Sequence, residues 1–155
     1  MSNRRWTRLA TFSSLFLRLA LGISFLSAVA DRFGLWGAYG QANVSWGNYA
    51  RFVDYTAKLN WFLPRATIPA LALISTAAET LFGVLLIAGW KTRITALLSG
   101  VLLALFALSM TIALGVKAPL NFSVFSAAAG ALHLATYTHF PYSMEELLRR
   151  STPAA

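Results

Sequence analysis

Residues 9–30 read LATFSSLFLRLALGISFLSAVA, an apolar run in which Arg18 is the sole charge. A run of this length can cross a bilayer as one helix. A charge at bilayer depth costs a few kcal/mol on insertion scales, so it needs a partner or a function. A second run, 67–90, reads TIPALALISTAAETLFGVLLIAGW and encloses one charge of opposite sign, Glu79. Arg18 lies ten residues past Arg8 and Glu79 twelve before Lys91. At 1.5 Å per residue these are depths of ~15 and ~18 Å, nearly one level if Arg8 and Lys91 mark the same membrane edge. Ser14 and Gly22 flank Arg18 at four-residue spacing, as Ser75 and Gly83 flank Glu79. Small residues at that spacing let two helices approach closely. The expectation is an Arg18–Glu79 ion pair within the membrane. It either fixes helix register or serves a ligand or proton site directly.

Composition supports the membrane reading. Of 155 residues 57% are hydrophobic and only 12% charged, with a mean hydropathy of +0.61. Soluble domains carry about 25% charged residues, so residues 1–155 read as a single membrane domain. The net charge of +8 sits at the ends of apolar runs rather than along one face. That is a topology signal and not a nucleic-acid surface. The chain has no cysteine, which excludes disulfides, thiol chemistry and iron–sulfur ligation by its own residues. Two histidines do not make a self-contained metal or haem site, so no metal and no covalently held cofactor is expected. Arg4-Arg5-Trp6-Thr7-Arg8, the run that follows and Ala28-Val29-Ala30 imitate a cleavable signal, even a loose twin-arginine one. The run exceeds a signal core of about 7–15 residues, so a retained helix is expected.

Four spans are expected, at about 9–30, 67–90, 94–115 and 118–138, the second opened by Pro69. Lys91-Thr92-Arg93 and Gly115-Val116-Lys117-Ala118-Pro119 are short turns, which make neighbours antiparallel. The fold class is therefore all-α, a transmembrane antiparallel four-helix bundle with no broken helix. Arg4, Arg5, Arg8, Lys91, Arg93, Arg149 and Arg150 fall on one side, which places both termini in the cytoplasm.

The first loop, about 31–66, is dense in aromatics of the kind that settle at a membrane–water interface. It is extracytoplasmic by the same charge count, with Arg32, Arg51, Lys58 and Arg65 partly offset by Asp31 and Asp54. Asn48 suits an N-cap and Leu63-Pro64 a stop, which predicts a short amphipathic helix at about 48–63. Tyr49, Phe52, Val53, Thr56 and Ala57 share one face of it, with Arg51, Asp54, Tyr55 and Lys58 opposite. Trp36, Trp46, Tyr49, Phe52 and Trp61 are the interfacial lid residues of this reading. The segment acts as an anchor sealing the bundle or as a lid over the way in for a lipophilic ligand. Asn43-Val44-Ser45 matches a glycosylation sequon that matters only in a secretory setting. The tail from about 142 carries Glu145-Glu146 and Arg149-Arg150 at helical spacing, a surface turn of helix.

His133 is expected in the fourth span, sharing a face with Ser126, Gly130 and Tyr137. The stripe Ser123, Ala127, Ala131 and Ala135 is suited to packing on a neighbouring helix. His133 either bonds a backbone carbonyl or lies near the interface, or, with Arg18, Glu79 and Tyr137, it forms a quinone-binding candidate as a hydrogen-bond donor or proton carrier.

Leu17-Arg18-Leu19-Ala20-Leu21-Gly22 in span one and Ala78-Glu79-Thr80-Leu81-Phe82-Gly83, leading to Gly89-Trp90, in span two carry a family pattern. The pattern is an arginine before a Leu-x-x-Gly helix and a glutamate four before a glycine. With Lys91-Thr92-Arg93 and Gly115–Ser123 it covers most of the chain, which resembles the DoxX family of small integral membrane proteins. The family commonly has a glycine and a lysine late in span one, where this chain has Ala28-Val29-Ala30-Asp31-Arg32-Phe33-Gly34. The resemblance implies the bacterial inner membrane and a setting of respiratory or sulfur redox chemistry among partner subunits and lipid. Three functions stay open, and with them whether the chain catalyses any step. One is a structural or accessory subunit of a membrane redox complex. Another is a quinone-interacting subunit of a thiosulfate:quinone type oxidoreductase, with quinone as its one cofactor. The last is a small lipophile-binding or transport protein.

Overall fold

Backbone in hydrocarbon has no water to bond, so an apolar segment closes its hydrogen bonds within itself. The computed structural model describes residues 2–151, and side chains over 8–149; the side chains of Arg4, Arg5 and Arg150 and the last four residues lie outside that range. No strand occurs among the described residues. Three helices are long and apolar enough to cross a membrane. They are α1 (Ser2–Arg32), α3 (Ile68–Ala88) and α4 (Thr92–Leu114). Leu73, Ile74 and Leu81 on α3 and Leu97, Val101 and Leu105 on α4 are exposed. So many outward apolar side chains suit a lipid surround. Between α1 and α3 lies the short α2 (Tyr49–Leu59), its Asn48 side chain accepting the N–H of Arg51 as an N-cap.

The expected fourth span is not one helix. It divides into α5 (Lys117–Asn121) and α6 (Val124–Leu134), with Ser123 at φ 54 between them. Asn121 and Ser123 compete for backbone hydrogen bonds and favour turns over helix interiors. Beyond Leu134 the Thr136 hydroxyl donates to the His133 carbonyl and the chain turns irregular. The 11 residues of α6 reach about 16 Å, well short of a hydrocarbon core of about 30 Å. The expectation of an unbroken span at 118–138 is corrected on this point. The tail forms α7 (Met144–Ser151), in which Glu146 and Arg149 pair at 2.9 Å.

The helices pack as two antiparallel pairs, α1 on α3 and α4 on α6. A Cβ on Gly22 would lie 2.7 Å from Ile87 Cγ1 and 2.9 Å from the Gly83 carbonyl; one on Gly83 would lie 2.9 Å from Leu26. Glycine at both places lets the backbones approach closely. Leu21, Phe25, Leu86, Ala96 and Leu134 join the pairs in one core. α2 wedges against α3 and α4 with Phe52, Thr56 and Leu59 buried, and Ser109 of α4 donates to Asn60 just past its end.

Register along α1 and α3 follows from these contacts. Gly83 lies beside Gly22 and Leu26, and Arg32 reaches Thr76. Glu79 therefore faces the end of α1, about a dozen residues or ~18 Å from the level of Arg18. Arg18 instead lies level with Gly89 in the α3–α4 turn. Arg8 and Lys91 do not mark one edge, because α1 overhangs that turn.

Gly22→Ala is expected to cost about 1–3 kcal/mol by forcing α1 off α3. Ala77→Val, on the exposed face of α3, is expected to stay near neutral. Unfolding by dodecyl sulfate in mixed micelles compares the two.

Candidate functional site: a buried ion pair under an aromatic roof

α1 ends in Asp31-Arg32, and both side chains are buried. The Asp31 carboxylate accepts the N–H of Ser45 at 2.8 Å and of Gly47 at 3.2 Å, which folds residues 33–47 back over the helix end. Gly47 has φ 66, and a Cβ there would run into the backbone of Tyr39, so this turn requires glycine.

Arg32 Nη2 donates to both carboxylate oxygens of Glu79, at 2.7 and 2.8 Å, and Nη1 to Thr76 Oγ1 at 2.9 Å. Arg32 is 3% exposed and Glu79 2%. Two ions taken out of water hold together only with close geometry and further hydrogen bonds. Thr76 supplies one such bond while its own hydroxyl donates to the Ala72 carbonyl. Over the guanidinium lie the Phe52 ring, 3.7 Å from centroid to carbon, and the Trp46 ring at 5.3 Å. Their π faces attract the cation. Trp46, Phe52, Tyr49 and Phe33 continue this roof by ring contacts of 5.3–6.1 Å. Tyr55 touches Trp46, and burial pushes its phenol above the usual value.

The five expected lid residues divide into two sets. Trp46, Tyr49 and Phe52 face inward over the ion pair, whereas Trp36 and Trp61 are exposed. The Trp36 indole donates to Ser27 O and Oγ at 3.0 and 3.1 Å, which lays the loop along the flank of α1.

Arg18 is not the partner of Glu79. Only 2% exposed, it donates from Nη2 to the Tyr142 carbonyl at 2.7 Å and from Nη1 to that of Pro141 at 3.5 Å. Gly89, at φ 70, makes room: a Cβ there would lie 2.7 Å from Arg18 Nη1 and 2.5 Å from Ser143 Cβ. Next to it Glu145 accepts the first N–H of α4, that of Thr92, and donates its own to the Gly89 carbonyl. A carboxylate at a helix N-terminus is favourable both as a cap and against the helix dipole. Arg18 and Glu145 thus stitch the C-terminal segment to the α3–α4 turn.

His133 is exposed and meets Tyr137 edge-on, with centroids 5.4 Å apart. Both line a cleft of about 380 Å³ against Ala10, Thr11 and Ser14 of α1. His139, at its rim, lies 3.5 Å from Glu146. The four residues expected as one quinone-binding set thus fall in three places. Glu79 is under the roof, Arg18 is at the α3–α4 turn, and His133 and Tyr137 are in the cleft.

Counting depth from Arg8 concealed the true partner. Arg32 read as a loop charge, yet it directly follows the apolar run with no breaker before Gly34. Thr76 and Glu79, three apart on one helical face, were the matching acceptors. Among the described residues no group of three or more His, Asp or Glu side chains converges as metal ligands do.

No known family model, curated protein or solved structure matches this chain. Function is therefore argued from the geometry.

Arg32→Met is expected to destabilise by about 3–5 kcal/mol, leaving Glu79 buried without a counter-ion, and Arg32→Met with Glu79→Leu to recover most of that loss. Arg18→Met and Glu79→Leu are expected to add within about 0.5 kcal/mol. A double-mutant cycle by chemical unfolding in mixed micelles measures both couplings.

Proposed function

We propose that this chain is a structural or accessory integral membrane subunit of a larger redox complex, DoxX-like as its sequence resembles. The observation that carries this reading is the closed state of Glu79. Both of its oxygens accept from Arg32, and Phe52 and Trp46 cover the pair. A carboxylate so engaged holds α1, α3 and the aromatic loop in one arrangement, whereas a proton-handling group needs a path to its proton.

In this reading α5 and α6 form a divided fourth passage of an antiparallel bundle. The chain lies in the bacterial inner membrane with both termini cytoplasmic. Arg8, Lys91, Arg93 and Arg149 supply the positive charge of the cytoplasmic side, in line with the stitching of the C-terminal segment to the α3–α4 turn. The outer loop presents Trp36, Trp61 and Phe62 to the membrane interface and to partner subunits. Electron-carrying groups belong to those partners, and nucleic acid is not among the ligands.

Glu79→Gln is expected to lower the abundance of the assembled complex severalfold while turnover per assembled complex changes less than twofold. Quantitative blotting of native membranes set against activity per complex measures this. Loss of turnover at unchanged abundance would replace the accessory role with a catalytic one.

A further inference from the structure

The cleft between α1 and the chain after α6 lies apart from the ion pair. Its volume of about 380 Å³ falls within the range of small-molecule sites. It is lined on one side by Thr11 and Ser14 of α1 and on the other by His133, Thr136, Tyr137 and Pro141.

The donors available in it are few. Ser14 spends its hydroxyl on the Thr11 carbonyl and Thr136 on that of His133. The His133 imidazole and the Tyr137 phenol have no intramolecular hydrogen-bond partner among the described residues, and their rings stand at 85°. Among the described residues no lysine, arginine or carboxylate lines the cleft. Arg18, behind Pro141, has turned its Nη atoms to the carbonyls of residues 141 and 142. Thr138 and His139 complete the lining, His139 lying 3.5 Å from the Glu146 carboxylate; an anionic head thus meets no described cation that is not already engaged, whereas a neutral acceptor finds the His133 and Tyr137 donors on a partly apolar floor. An uncompensated ion is far costlier to desolvate than a neutral acceptor.

The backbone points the same way. Helix α6 stops at Leu134, and residues 135–141 run irregularly beside the apolar length of α1. On the neighbouring face of α1, Phe12 and Phe16 are exposed and stacked at 6.1 Å, an apolar surface for a tail.

We propose that this cleft binds the neutral, carbonyl-bearing head of a membrane-soluble amphiphile, with His133 and Tyr137 donating to its oxygens. Arg18 positions the wall by holding the carbonyls at 141 and 142. A quinone ring and a glycerolipid ester share this acceptor chemistry.

The test uses the full chain in dodecyl maltoside, a detergent without carbonyls. Decylubiquinone, 1,2-dioctanoylglycerol and didecyl phosphate are titrated separately by calorimetry. Saturable binding of a neutral probe is expected. It should weaken roughly fivefold in Tyr137→Phe, as one hydrogen bond implies, and be lost in Ala10→Trp, which fills the cleft. Unchanged elution volume shows that the variants are folded. Binding of decylubiquinone alone assigns a redox ring, and of dioctanoylglycerol alone a glycerolipid; either supports the proposal. It is overturned if neither neutral probe binds, if didecyl phosphate alone binds, or if Tyr137→Phe combined with His133→Gln leaves the affinity unchanged.

Discussion

The Arg32–Glu79 pair constrains everything at its end of the molecule. A lone carboxylate in the middle of α3 would be costly to bury, and so would a lone guanidinium at the end of α1. Together they set the register of the two helices. Gly22 and Gly83 then permit the approach that this register demands. The pair also determines what must lie above it. An ion pair open to water would lose much of its attraction, and the roof of Trp46 and Phe52 keeps water out while adding cation–π attraction.

That roof explains the long first loop. Asp31, adjacent to Arg32, captures two backbone N–H groups of the loop. Asn48 starts α2, whose buried face supplies Phe52. Consecutive residues of α1 thus divide the work, one folding the lid and the other lying beneath it. Trp36 and Trp61 are left outside, where an amphipathic ring suits a membrane interface.

Much of this was legible in the sequence. Runs of about twenty apolar residues announced three long helices, and Asn48 with the Phe52–Thr56 spacing announced α2. That Glu79 needed a cationic partner was equally plain. Which arginine it takes was not, because depth was counted from Arg8 and Lys91 as if both lay at one edge. Helix length alone does not reveal how far one helix slides past its neighbour. The division of the expected fourth span was hidden for a related reason. Ala118 to Tyr137 is apolar enough to read as one span, and hydropathy is blind to Ser123 taking a left-handed turn. An interior place for His133 requires a continuous helix around it, and α6 ends at Leu134, one residue beyond.

Synthesis order gives the Arg18 clasp a temporal meaning. The acceptors of Arg18 lie 123 and 124 residues further along the chain. Until they are made, the first helix carries a guanidinium that lacks both of these acceptors. Only once Tyr142 has been made can the guanidinium reach these carbonyls, so the first helix takes its native contacts from a segment synthesised well after it.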